Sequence, residues 1–384
     1  MTRPILLLLL SVGIVGVTAL MLSPIASAVA LGLPGATARE VLFGAALYGA
    51  ATALSALVLA PQADRVGADR SLRAALGLLA VGFACAGLAP DLVVFLGAQM
   101  VLGVATGVAL PSAYALAAHA APAGKEAQTM GLVLSGWTLS LVAGVSVAAF
   151  GADLLGWRTM FLALAALAAL VMLGLLRTRF TAPRGRATSP LSGLRVPGIG
   201  RGLAMIGALM LGFYLTYTYI GTHVTQTLGR STAAAGLVPL IYGLGFGFTT
   251  FLDRYIDRLG AARTARPLFA FNVLLYLGMS YAAPSFAALL ALAFLWGFTQ
   301  HLGLNLAVGR LTALDPNQRG AILGLNSCIT YIMVFLGAAL GGVVFAALGF
   351  APLPVLSAFL LIYLAVEAGW PGAWRTPYSS NISD

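Results

Sequence analysis

Asp64-Arg65-Val66-Gly67-Ala68-Asp69-Arg70 and Asp257-Arg258-Leu259-Gly260-Ala261-Ala262-Arg263 are one short charged cassette written twice, about half of the 384-residue chain apart. Each copy separates two long apolar runs. A charged turn that recurs at half-length in a greasy chain predicts a membrane protein built from two similar halves.

Composition points the same way. The chain is 60% hydrophobic and 8% charged, with a mean hydropathy of +0.97. A soluble domain carries about 25% charged residues, and one with so few would expose large apolar patches. The net charge of +10 does not signal nucleic acid, because no basic run lies beside an aromatic platform. Cys85 and Cys328 both fall in apolar runs and read as small core residues, without disulfide or metal spacing. The run from Pro4, followed by Ala26-Ser27-Ala28, imitates a signal peptide. It reads instead as a first spanning helix, because equally apolar segments follow it.

Twelve runs approach or exceed the roughly 20 apolar residues of a spanning helix: 4–30, 40–61, 72–90, 92–118, 127–152, 157–177, 202–228, 232–252, 267–283, 285–309, 320–347 and 352–370. With both termini cytoplasmic, all of the 21 Lys and Arg except Arg39, Arg158 and Arg230 fall on the cytoplasmic side. The basic charge is therefore a topology signal. Residues 178–200 are the long polar stretch, with Pro183, Arg184, Gly185, Arg186, Ser189, Pro190 and Pro197, a linker composition. The expected organisation is a six-helix half (1–177), a cytoplasmic linker (178–200), and a second six-helix half with a short cytoplasmic tail (201–384). Lys125 is the only lysine among the 21 basic residues, which suggests a GC-rich bacterial genome and an inner-membrane location.

Twelve spans, a central linker and a cassette after the second and eighth spans resemble the major facilitator superfamily. The family loop reads Gly-x-Leu-Ala-Asp-Arg-x-Gly-Arg-Lys. Here Asp-Arg-x-Gly is kept, Ala60 replaces the leading Gly, and the basic pair survives as Arg70. Gly156-Trp157-Arg158 is similar to the turn before the family's sixth helix. Tyr217-Thr218-Tyr219-Ile220 and Ala321-Ile322-Leu323-Gly324-Leu325-Asn326-Ser327 resemble the seventh and eleventh helices of the sugar-efflux and drug-efflux branch. The resemblance implies an all-α membrane protein with two pseudo-symmetric six-helix halves and transport by alternating access. It makes Asp64, Arg65, Gly67, Arg70, Asp257, Arg258 and Gly260 gate elements, against the plainer reading of solvated loops that fix topology.

Several family charges are missing. Val17–Pro24 holds no acid, Gln99 stands where many relatives carry an Arg, and Gly144-Val145-Ser146 lacks the Pro of the antiporter motif. No ionised residue falls near the middle of a span, and Glu367 lies near a helix end. Intramembrane charges mark proton and ion routes, so a carboxylate relay and a strongly cationic substrate are disfavoured.

Rise per residue places polar groups near mid-membrane. Cavity candidates are Thr18, Gln99, Trp137, Tyr214, Tyr217, Tyr242, Trp296, Gln300, Asn326 and Tyr331, each also readable as a packing residue. Aromatic walls with a few amides suit a neutral or zwitterionic molecule. His119 and His223 are expected at the interface. His301, with Asn305 one turn on, is the candidate proton site. No metal ligand set, cofactor or enzyme constellation emerges, and a monomer is expected. The reading is an exporter of a small organic molecule such as a sugar or drug. An importer of a vitamin, metabolite or metal ion is the alternative on the same fold, and a non-transporting receptor or sensor is the alternative of another class.

Overall fold

The computed structural model describes residues 2–122, 125–178, 180, 189–252 and 258–369, with backbone alone at 63, 64, 126, 127 and 250. Every regular element among them is helical, and each apolar run is helix over most of its length. Among the described residues nine helices are long and apolar enough to cross a membrane, and Thr232–Phe248 and Pro352–Ala368 are shorter apolar helices. The chain divides into two compact units, Met1–Thr188 with Ile220–Leu240, and Ser189–Tyr219 with Ile241–Asp384. Ile220–Leu240 packs with the first unit.

The first unit begins with α1 (Arg3–Leu20) and α2 (Leu22–Leu31), broken at Met21 shortly before Pro24. A capping box opens α3 (Ala38–Val58). The Thr37 hydroxyl accepts from Glu40 N at 3.3 Å and Glu40 accepts from Thr37 N at 2.8 Å. Then come α4 (Ala60–Val66), α5 (Ala68–Gly87), α6 (Leu92–Ala120), α7 (Glu126–Leu139), α8 (Val145–Leu155) and α9 (Trp157–Leu176). α3 packs on α6, α6 on α5, α5 on α9, and α1 on α7.

A π-helical turn, Ser140–Gly144, joins α7 to α8. The helix is therefore interrupted at the Gly144-Val145-Ser146 stretch although the kinking Pro is absent. Glycines let α1 approach closely here: a Cβ on Gly136 would sit 2.3 Å from Leu9 O, and one on Gly144 2.3 Å from a Val17 methyl.

The second unit holds a 3₁₀ turn (Pro190–Arg195), most of α10 (Ile199–Thr222), the end of α11 (Thr232–Phe248), α12 (Ala261–Tyr281), α13 (Phe286–Thr312), α14 (Arg319–Leu348) and α15 (Pro352–Ala368). A second π turn, His223–Thr227, follows α10.

The half-length repeat of the cassettes reappears in the packing. On α6 a Cβ at Gly103 would lie 2.4 Å from Tyr48 O of α3; on α13 one at Gly297 would lie 1.8 Å from Tyr242 O of α11. The Ser55 hydroxyl donates to Val104 O at 2.6 Å, and the Thr249 hydroxyl to Phe298 O at 3.3 Å. The residues in each of these four pairs are separated by the same shift along the chain. One backbone arrangement is built twice, by a glycine that admits a carbonyl and a hydroxyl that ties the next turn.

Candidate functional site

Both cassettes rest on a glycine that no other residue replaces without strain. Gly67 has φ 104° and immediately precedes α5; Gly260 has φ 83° and immediately precedes α12. The first cassette is less of a loop than its charge suggests. Ala60–Val66 is helical, so Gly67 is the single break between two helices. Arg65, Arg70 and Arg258 are exposed. The Asp64 side chain and all of Asp257 lie outside the described residues. Asp69 pairs with Arg73 at 3.2 Å, and Arg73 donates to Thr178 O beyond α9 at 3.3 Å. The cassette is thereby tied to the end of the sixth apolar run.

At the other end of this unit Arg158 acts as a staple. Its guanidinium donates to Gly87 O at 3.1 Å, Ala89 O at 2.7 Å and Gly32 O at 3.3 Å, and lies 4.3 Å from the centre of the Trp157 ring. Those carbonyls end α5 and α2, where a cation complements the helix dipole.

In the second unit the aromatic candidates converge. Phe213, absent from the sequence list, is their hub: its ring centre lies 4.9 Å from Tyr214, 5.0 Å from Tyr217, 5.5 Å from Tyr242 and 5.2 Å from Trp296. Tyr242 and Trp296 meet edge to face at 5.1 Å. Behind them Trp296 Nε1 donates to the Tyr276 hydroxyl at 2.9 Å, so α12 fixes the indole.

Gln300 lies one turn beyond Trp296 and is buried. The Tyr276–Trp296 bond and the packing of Gly303 against Phe269 set the antiparallel register of α12 and α13. That register puts Asn272 level with Gln300. Asn272 is 1% exposed, and its amide has no hydrogen-bond partner among the described residues. It was readable as the single amide in its apolar run, yet only the register gives it a place.

His301 faces the Phe246 ring, 4.7 Å between centres, and Asn305 Nδ2 stands 2.9 Å from His301 Nε2. Tyr331 is buried, and Asn326 is half-buried one turn before Thr330. Thr18, Gln99 and Trp137 fall in the first unit. The Thr18 hydroxyl donates to Ile14 O of its own helix at 2.7 Å, and the Gln99 stem packs on Gly44. His223 opens a π turn and is buried. Among the described residues no group of three His, Cys, Asp or Glu converges as a metal site.

Charge in this unit gathers at the helix ends. Glu367 is 7% exposed and accepts from Arg201 at 3.0 Å and from Arg310 at 2.9 Å. This triad joins α10, α13 and α15. The sequence reading leaves Glu367 reaching for the interface, because the three partners are far apart in the chain.

The sequence profile described as Major Facilitator Superfamily matches residues 5–338. The chain is 28% identical over 330 residues to the Bacillus subtilis (strain 168) protein named Uncharacterized MFS-type transporter YwfA, covering 82% of this chain and 79% of that one. It is 27% identical over 335 residues to the Pseudomonas aeruginosa protein named Transcription regulatory protein OpdE, covering 84% and 82%. Among solved structures, a D-xylose-proton symporter superposes with a TM-score of 0.73 at 18% identity, over 94% of this chain and 97% of that one.

Proposed function

This chain belongs to the Major Facilitator Superfamily and is a multi-pass membrane transporter, and on that premise we propose that it exports a small neutral or zwitterionic organic molecule across a bacterial inner membrane by alternating access. The observation that carries this reading is the uncharged aromatic cluster of the second unit. Phe213, Tyr217, Tyr242 and Trp296 form an aromatic wall, and Gln300 is the amide beside it. Rings hold a flat or amphiphilic face, and amides read hydroxyls and carbonyls without demanding an ion. In this reading the cassettes at Gly67 and Gly260 are the cytoplasmic gate, their glycines the pivots, and His301, braced by Asn305, is the proton site. Residues 1–177 and 201–384 are the moving halves, and both termini are cytoplasmic.

The test begins with a ligand-stabilisation screen on purified protein, followed by flux of the hits into proteoliposomes with and without a pH gradient. Gradient-driven flux that Trp296→Leu weakens and His301→Ala uncouples supports the reading. Flux confined to anions or divalent metals overturns the substrate class.

One observation favours a second reading. A relative of similar length carries the name Transcription regulatory protein, which fits a sensor that binds a ligand without moving it. Stabilisation by a ligand that shows no flux in either direction selects that reading.

A further inference from the structure

The segment Ser189–Gly200 repeats every three residues. Pro190, Gly193, Val196 and Ile199 are buried, while Leu191, Leu194 and Pro197 point outward. A 3₁₀ turn aligns positions i and i+3, so the segment has an inner row and an outer row. The inner row lies on α14. A Cβ on Gly193 would meet Leu325 at 3.0 Å and the Ala321 carbonyl carbon at 3.3 Å, and one on Gly324 would meet Pro190 at 2.9 Å. Ser189 closes the turn, its hydroxyl accepting from Leu191 N at 3.3 Å.

The outer row is unusual for a linker. Leu191 is 50% exposed, Leu194 54%, and Leu323, next to the glycine that seats Pro190, 42%. This apolar surface sits within two turns of the start of α14, at the level where Arg201, Arg310, Arg319 and Glu367 collect. Charges gathered at one end of apolar helices mark where a hydrocarbon layer would end. The surrounding chain is basic throughout: Arg177, Arg179, Arg184, Arg186, Arg195 and Arg201 lie between Asp153 and Asp253, with no acid between those two.

We propose that Pro190–Arg195 is a membrane-surface strap whose outer leucines enter the interface and whose one arginine, the exposed Arg195, binds an anionic phospholipid headgroup, holding the near end of α14 in place. A water-exposed linker gains nothing from two outward leucines. A segment lying in the headgroup region buries them and places Arg195 in the negative surface potential. Because Gly193 and Gly324 admit close contact, the force reaches the helix that carries Asn326 and Tyr331. The inference is independent of what the protein carries.

The test uses full-length protein with Cys85→Ala and Cys328→Ala, bearing a nitroxide on Leu194→Cys. It is reconstituted in phosphatidylcholine vesicles with or without phosphatidylglycerol. Collisions with oxygen and with a water-soluble nickel chelate report depth. The proposal expects oxygen access and nickel protection in the anionic vesicles, and several-fold weaker protection in phosphatidylcholine. Arg195→Gln should lower the lipid-dependent protection about fivefold. Full nickel access in both vesicles overturns the strap. Strong and equal protection in both overturns the headgroup preference. Nickel protection accompanied by low oxygen access shows that another protein surface covers the leucines and overturns the proposal. An unchanged Tm of the labelled Leu194→Cys protein checks that the segment keeps its fold.

Discussion

At the α3–α6 contact Gly103 admits the Tyr48 carbonyl, Ser55 ties Val104, and the neighbouring Leu102 packs on Gly82 of α5. At the α11–α13 contact Gly297 admits the Tyr242 carbonyl and Thr249 ties Phe298, but the neighbour is Trp296, hydrogen-bonded to Tyr276 of α12. The shift that pairs the two seams also pairs Leu102 with Trp296 and Gly82 with Tyr276. The backbone contact is thus kept in both places, while the side chains beside it have diverged. Duplicated halves can share the distances that let helices move as bodies, while one half specialises in the chemistry of the cargo.

The largest effect should come from breaking what the seams share. Gly297→Val and Gly103→Val each force a side chain into a facing carbonyl, so each should cost about 3 kcal/mol or more, read as a large fall in Tm in one detergent. A severe loss in only one of them would end the equivalence of the two seams.

The ion triad belongs to the second unit alone, since Leu173 occupies the position that the same shift gives for Glu367. Glu367→Gln leaves Arg310 buried without its anion, at a cost of about 2 kcal/mol, below the full buried-pair value because Arg201 is 57% exposed. Adding Arg310→Met should restore most of the lost Tm. An unchanged Tm in the single variant would reduce the triad to a surface pair.

Trp296→Leu copies the first unit into the second. It should weaken binding of a hit ligand about tenfold, or about 1.4 kcal/mol, with a smaller loss of Tm. Leu102→Phe, the control in the first unit, should alter stability and leave affinity alone. If both variants change affinity equally, recognition is not concentrated in the second unit.

The hydroxyl ties carry the smallest effect. Ser55→Ala and Thr249→Val should each cost about 0.6 kcal/mol. Ser55 should cost the more, since its bond to Val104 O is 2.6 Å and Thr249 divides its hydroxyl between Phe298 O at 3.3 Å and Gly245 O at 2.9 Å. A reversed order in paired melting curves would assign the ties no role of their own.

Much of this was legible in the chain. Apolar runs announced the helices, because a bilayer demands length and low charge and both are countable. Gly67 and Gly260 were legible because a positive φ beside a charged turn has few other solutions. Tyr217, Tyr242 and Trp296 were legible as polar-tipped aromatics at mid-depth. Phe213 was not, since a phenylalanine in a spanning helix looks like any lipid-facing or core residue until its neighbours on α11 and α13 are known. The partners of Glu367 were hidden for the same reason: its two arginines arrive from distant helices. The π turns at Ser140–Gly144 and His223–Thr227 leave no compositional trace, because an extra residue in a helical turn is set by packing.

Arg158 has a consequence for how the protein is made. Its guanidinium needs the carbonyls of Gly32, Gly87 and Ala89, all synthesised earlier. The staple can close only after the segments ending there have taken up their places. The arginine is thus a checkpoint in assembly: it finds three waiting acceptors if the earlier segments are placed correctly and none if they are not.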